Sequence, residues 1–193
     1  MHLDASRQNK GFVLKYLLMI APLSLANVFT VLIAVTCLTT MSGQSRGSVI
    51  KLWRLAVPAA LAVVTSLVLL AGVFDATFPH DAEWLIAAAV GSVVGRARGW
   101  TMQLAVDHTR DLVRLQRSFD GTMAAAGMVA LSFIDFTGAT LEDAIVPCDI
   151  TAAVSALFAG YIACRSLAIA VRAGRAPHVE LMDAQRVNTT SPI

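Results

Sequence analysis

Residues 87–119 read AAAVGSVVGRARGWTMQLAVDHTRDLVRLQRSF, and the rest of the chain is arranged around them. The stretch opens as the inner half of an apolar segment carrying small residues at Ala87, Gly91, Gly95 and Gly99. It leaves that segment through Arg96 and Arg98, turns polar, and is followed by a further apolar run. From Trp100 onward apolar residues fall at alternate positions: Trp100, Met102, Leu104 and Val106, against Thr101, Gln103 and Ala105. A period of two predicts a strand. Residues 107–111 (DHTRD) read as a turn and residues 112–118 as the return strand. The expectation is a small cytoplasmic β-hairpin over residues 100–118, lying against a membrane face. The competing reading is an amphipathic interfacial helix.

The apolar runs on either side decide the fold class. Of 193 residues, 56% are hydrophobic and 15% charged, and the mean hydropathy is +0.68. A soluble domain carries about 25% charged residues. The charges here are clustered between long uncharged runs, and about 20 apolar residues cross a hydrocarbon core. Only helices or closed barrels satisfy the backbone in lipid, and these runs are too long and too uniformly apolar for barrel strands. The prediction is an all-α integral membrane protein with five transmembrane helices and the cytoplasmic hairpin between the third and fourth. The spans are placed at residues 17–41, 55–74, 82–98, 122–141 and 145–164, within one transmembrane domain over 17–172. A polar tail covers residues 1–16, and residues 173–193, with Pro177 and Pro192, are expected to be disordered. The first apolar run is too long for a signal-peptide core, so no cleaved leader is expected.

Lys and Arg mark cytoplasmic loops. The connections after the first, third and fifth spans hold 12 of the 15 basic residues, and those after the second and fourth hold none. This places the C-terminus in the cytoplasm and the N-terminus outside. Arg7, Lys10 and Lys15 of the tail then lie on the wrong side, which keeps open a re-entrant first run with both termini inside.

Three sets of residues stand out as candidates. The stripe Ala87, Gly91, Gly95 and Gly99 is matched by a second at Ala152, Ala156 and Gly160, continuing to Cys164. Such spacing lets helices approach closely, either within the monomer, third span against fifth, or in a homodimer or larger membrane complex. Asp135 and Asp149 lie inside predicted spans, where a carboxylate costs about 2.5–3.5 kcal/mol and usually faces a cavity or partner. They are candidates for an ion or proton site with Ser132, Thr137 or Thr151. The blander reading makes Asp149 a helix-start acid and puts Asp135 near a frayed end. Arg96, Arg98, Arg110, Arg114 and Arg117 form a basic set, suited to anionic lipid at the cytoplasmic face or to a phosphate-bearing ligand.

Other chemistries leave no trace. The histidines, His2, His80, His108 and His178, lie outside the spans and on different sides, so bound haem is not expected. Cys37, Cys148 and Cys164 form no CxxC, and only Cys37 with Cys164 share a depth. No zinc spacing, phosphate loop or nucleophile–base arrangement is present. The expectation is a non-enzyme with no metal, no cofactor and no nucleic-acid partner.

The 87–119 stretch resembles the CcdC-like group of small bacterial multi-pass membrane proteins. The likeness is carried by Gly91, Gly95, Arg96, Arg98, Gly99, Thr101, Met102 and Asp107: a glycine-spaced span end, an Arg-x-Arg-Gly exit, a Thr-Met strand and a short hairpin. The basic loop after the first span fits the same layout. The chain departs from it in the turn, where a glycine is expected and His108 and Thr109 stand. The resemblance implies a bacterial cytoplasmic (inner) membrane location and, through the group's name, a link to cytochrome c maturation. It carries over no catalytic residue. The functional expectation is an accessory, assembly or stabilising subunit of a membrane complex. The alternatives are a small transporter or proton-coupled carrier using Asp135 and Asp149, and a cytochrome c maturation factor.

Overall fold

The computed structural model describes residues 27–47, 49–72, 78–141 and 146–181. The predicted N-terminal tail, the start of the first span, parts of both acidic connections and residues 182–193 lie outside the described residues. The chain is mostly helical. Helix α1 (Asn27–Ser45) is followed by strand β1 (Val49–Lys51), a 3-10 turn (Leu52–Leu55), α2 (Ala56–Gly72) and α3 (Phe78–Thr101). Strands β2 (Leu104–Asp107) and β3 (Leu112–Leu115) precede α4 (Asp120–Leu141) and α5 (Cys148–Ala173).

Among the described residues, four segments are long and apolar enough to cross a membrane: Asn27–Ser45, Leu52–Ala71, Asp120–Gly138 and Asp149–Ala173. The predicted third span falls on α3, a continuous 24-residue helix that also carries Asp81, Glu83, Arg96 and Arg98. Its charged ends leave an apolar centre shorter than the other four have.

Helix α3 lies against α5 in the same direction. A Cβ on Gly91 would collide with the Leu157 carbonyl, one on Gly95 with the Tyr161 carbonyl, and one on Gly99 with Arg165 and Ala168. Gly160 returns the contact against Ala88 and Ser92. Small residues therefore let two backbones touch. Helices α2 and α4 run the opposite way: Ser66 meets Ser155 while Leu55 clusters with Ile169, and Asp120 meets Tyr161 while Gly127 lies on Phe158. The C-terminal part of α1 reaches the same end, with Met41 over Gly121. Cys37, Met41, Ala62, Ala125, Met128, Ala159 and Ile162 form the core between these helices.

The alternating directions bring the segments after α1, α3 and α5 to one end, where they build a cap. Strands β2 and β3 pair antiparallel, Leu104 opposite Leu115 and Asp107 opposite Leu112. The predicted strand began at Trp100, but α3 runs on through Thr101, because its end is held by α5 and Met102 is buried beneath the cap. The hairpin is also not alone. Strand β1, within a segment read as a basic loop, pairs with β3 to give a sheet of order β1-β3-β2. Gly47, at φ +72°, turns the chain from α1 into that strand. In β3, Val113 and Leu115 point inward and Arg114 outward, the alternation of a half-buried strand. The inner face rests on Leu55, Met102, Ile169 and Ala173.

Two boundaries differ from expectation at the C-terminal side. Helix α5 continues nine residues beyond the predicted end at Cys164, to Ala173, so Arg165 and Arg172 are helical. Residues 174–181, expected to be disordered, are placed: His178 bridges Val106 beside β2, and Leu181 is buried.

Candidate functional site

Where α3, α4 and α5 enter the cap, Asp120 collects five donors. Arg98 Nε approaches its Oδ2 at 2.7 Å and the Tyr161 hydroxyl donates to the same oxygen at 2.8 Å. Its Oδ1 accepts from the Gly121 amide at 2.9 Å and from the Ser118 hydroxyl. Arg165 Nη2 lies 3.5 Å from Oδ1. An acid in the first turn of α4 also suits the positive end of that helix. The two arginines are not equivalent. The Arg98 side chain is half exposed, and such a pair contributes little in water. Arg165 is 3% exposed, its Nε has no partner, and Asp120 is the only carboxylate in ion-pair range of it among the described residues.

Arg172 closes the adjoining end of α3. Its Nη1 donates to the Gly99 carbonyl at 2.8 Å and to the Met102 carbonyl at 2.6 Å, satisfying groups that a helix terminus leaves open. A cation there also complements the helix dipole. Arg172→Met is expected to cost about 1.5–3 kcal/mol, the range for hydrogen bonds to a charged group. Faster amide exchange over residues 99–106, with exchange in the middle of α4 unchanged, would show it.

At the far rim, the hairpin turn and the chain after α5 hold each other. The His108 amide donates to His178 Nδ1 at 3.2 Å, His108 Nε2 lies 2.8 Å from the Ala176 carbonyl, and the Val179 amide donates to the Val106 carbonyl at 2.8 Å. The Thr109 hydroxyl and the Thr109 and Arg110 amides hold the Asp107 carboxyl below the usual range, against its burial. The left-handed residue of this turn is Asp111, at φ 51°. Aspartate tolerates that conformation better than most residues, so the glycine expected at the turn is not required.

The residues singled out in the sequence are distributed as follows. Gly91, Gly95 and Gly99 face α5, Ala87 is half-buried on the same helix, and Ala152, Ala156 and Gly160 are buried or half-buried on α5. Those helix surfaces are occupied within the chain. Arg98 is taken up by Asp120, whereas Arg96, Arg110, Arg114 and Arg117 are exposed, Arg117 lying 5.3 Å over the Phe119 ring. Asp135 and Asp149 are each half-buried, and neither carboxylate forms an ion pair among the described residues. Ser132 and Thr137 donate to carbonyls of their own helix, and Thr151 to that of Pro147. Cys37 is in the core and Cys164 lines a shallow cleft with Arg96 and Trp100; both thiols are free. Among the described residues no three His, Cys, Asp or Glu side chains converge on a metal position.

Asp120, Tyr161, Arg165 and Arg172 were not among the sequence candidates. Tyr161, Arg165, Ala168 and Arg172 recur at helical spacing, a signal that α5 continues past its uncharged stretch. Comparison with protein families, with characterised proteins and with solved structures returns no match to this chain. The likeness of residues 87–119 to the CcdC-like group rests on its residues alone.

Proposed function

We propose that this chain is a five-span protein of the bacterial cytoplasmic membrane, N-terminus outside and C-terminus inside. It acts without catalysis, as an accessory, assembly or stabilising subunit that binds through its basic cap. The observation that supports the reading is the convergence of three separate basic connections on one end of the bundle. There Arg46, Lys51, Arg54, Arg110, Arg114 and Arg175 are exposed, with only Asp111 and Glu180 as exposed described acids nearby. Excess positive charge is what a cytoplasmic face carries. Helix α3 is counted as a span because it lies parallel to α5 over the length of the small-residue contact. Its outward Leu85, Ile86, Val90, Val93 and Val94 suit lipid.

The cap is held by its own contacts: a three-stranded sheet, a clamped helix end and a tethered C-terminal segment. That suits a docking platform for an acidic surface. Its outward basic residues contribute about 1 kcal/mol each toward an anionic neighbour. The test is native mass spectrometry of the full chain extracted gently from its own membranes. A stoichiometric partner is expected, and Arg110→Glu/Arg114→Glu/Arg117→Glu is expected to reduce its recovery at least about tenfold. A chain that emerges alone, with or without that triple change, would remove the accessory reading.

A further inference from the structure

A groove of about 530 Å³ opens where the end of α1, strand β1 and the start of α2 meet. That size falls within the range of ligand pockets. Its lining combines apolar Val49, Ile50 and Val57 with Gln44, Trp53 and Arg54. Gln44 is 7% exposed, and its Nε2 donates to the Arg54 carbonyl at 3.3 Å. Turning the amide over would set oxygen against oxygen, so that bond assigns its orientation. The other end, Oε1, is then a buried acceptor without a donor. Leaving such an atom unpaired is unfavourable, because burial has removed the water that would otherwise donate to it. A ligand hydroxyl or N–H brought to this position would supply the missing donor.

The rest of the lining narrows the chemistry. Arg54 is exposed, its guanidinium 5.7 Å over the Trp53 ring, and among the described residues no carboxylate pairs with it. It is placed to take an anion. Trp53, 62% exposed at the end of an apolar helix, sits as an interfacial tryptophan does, at headgroup level. A donor beside an anion, next to an aromatic ring and at the edge of apolar spans, describes a phosphodiester lipid whose headgroup carries a hydroxyl. An ethanolamine headgroup also offers a donor, but its ammonium would be brought beside Arg54, with Lys51 close by in sequence.

We propose that this groove binds the headgroup of an anionic, hydroxyl-bearing phospholipid of the phosphatidylglycerol kind, with Gln44 Oε1 accepting from the hydroxyl and Arg54 holding the phosphate. The inference rests on the membrane-embedded reading and is independent of any protein partner at the cap.

The test titrates the delipidated full chain with single lipids and counts bound lipid by native mass spectrometry. The probes are phosphatidylglycerol, phosphatidylethanol (an anionic phosphodiester with no hydroxyl or amine), phosphatidylethanolamine and phosphatidylcholine. Phosphatidylglycerol is expected to bind about two- to tenfold better than phosphatidylethanol, the difference of one hydrogen bond. Gln44→Leu is expected to bring the two to equality. Gln44→Met, which keeps an unbranched side chain of similar length, does the same if the leucine variant does not fold. Arg54→Gln is expected to weaken both anionic lipids about fivefold. Equal binding of phosphatidylglycerol and phosphatidylethanol by the unaltered chain would overturn the proposal, as would a preference that survives Gln44→Leu. Displacement of the lipid by millimolar glycerol phosphate would assign the groove to a soluble ester instead. A chain that fails to insert into vesicles would overturn the membrane reading together with this site, whereas insertion without selectivity would overturn the site alone.

Discussion

Gly95→Leu is expected to push α3 away from α5 and to lower the stability of the detergent-solubilised chain by about 3 kcal/mol or more. Overpacking ordinarily costs about 1–3 kcal/mol, because neighbouring side chains can change rotamer. Here the obstruction is the Tyr161 backbone carbonyl, with Leu157 in the same position opposite Gly91, and backbone on a helix cannot step aside. Relief requires the helices to separate, and separation also withdraws Arg172 from the carbonyls of Gly99 and Met102. Cap and bundle should therefore loosen together. Thermal unfolding followed by size-exclusion chromatography measures the effect, with Val94→Leu as the control. Val94 is exposed, and a substitution there should stay within about 0.5 kcal/mol. A Gly95→Leu chain that melts like the control would show that the α3–α5 contact is not made as described. One that keeps its stability and changes only its oligomeric state would assign the glycine stripe to a contact between chains.

Asp120→Ala should have a comparable effect by a different route. Removing one member of a buried ion pair costs about 3–5 kcal/mol, because the remaining charge stays where water cannot reach it. Arg165 meets that condition: it is 3% exposed and already has one unpartnered nitrogen. The same change removes the acceptor of the Tyr161 hydroxyl, of Ser118 and of Arg98. Arg165→Met in the Asp120→Ala background takes the buried charge away, and most of the lost stability should return. This non-additivity is the diagnostic result. Arg98→Gln, by contrast, should cost about 1 kcal/mol or less, as expected of a half-exposed pair. Equal losses for the Arg98 and Asp120 variants would mean that solvent or lipid headgroups reach Arg165.

How much of this was legible in the sequence depended on whether the signal was local. The strands around residues 104–115 were legible because alternation is a property of consecutive residues. Strand β1 was not: three residues, Val49 to Lys51, carry no periodicity, and they become a strand only because β3 presents an unpaired edge to them. The hairpin begins later than the alternation predicts for a related reason. Trp100 and Met102 fit both a strand and the last turn of a helix, and Arg172, about seventy positions away, favours the helix by binding its carbonyls. Arg165 and Arg172 mark the exit from the uncharged stretch, which is not the end of the helix. Arg165 and Arg172 remain within the helix because Asp120 and two backbone carbonyls await them.

The sequence by itself determined that the chain is built of apolar helices, where most of them lie, and that basic residues alternate between connections. These follow from composition over windows of about 20 residues, which tertiary contacts scarcely alter. Tertiary structure alone decided which small residues are already spent against each other, and which charges are paired. It also gathered three distant basic segments into one sheet-capped face and left Gln44 with a buried acceptor beside Arg54. Pairing, burial and cavity shape arise between residues far apart in the chain, and no local pattern encodes them.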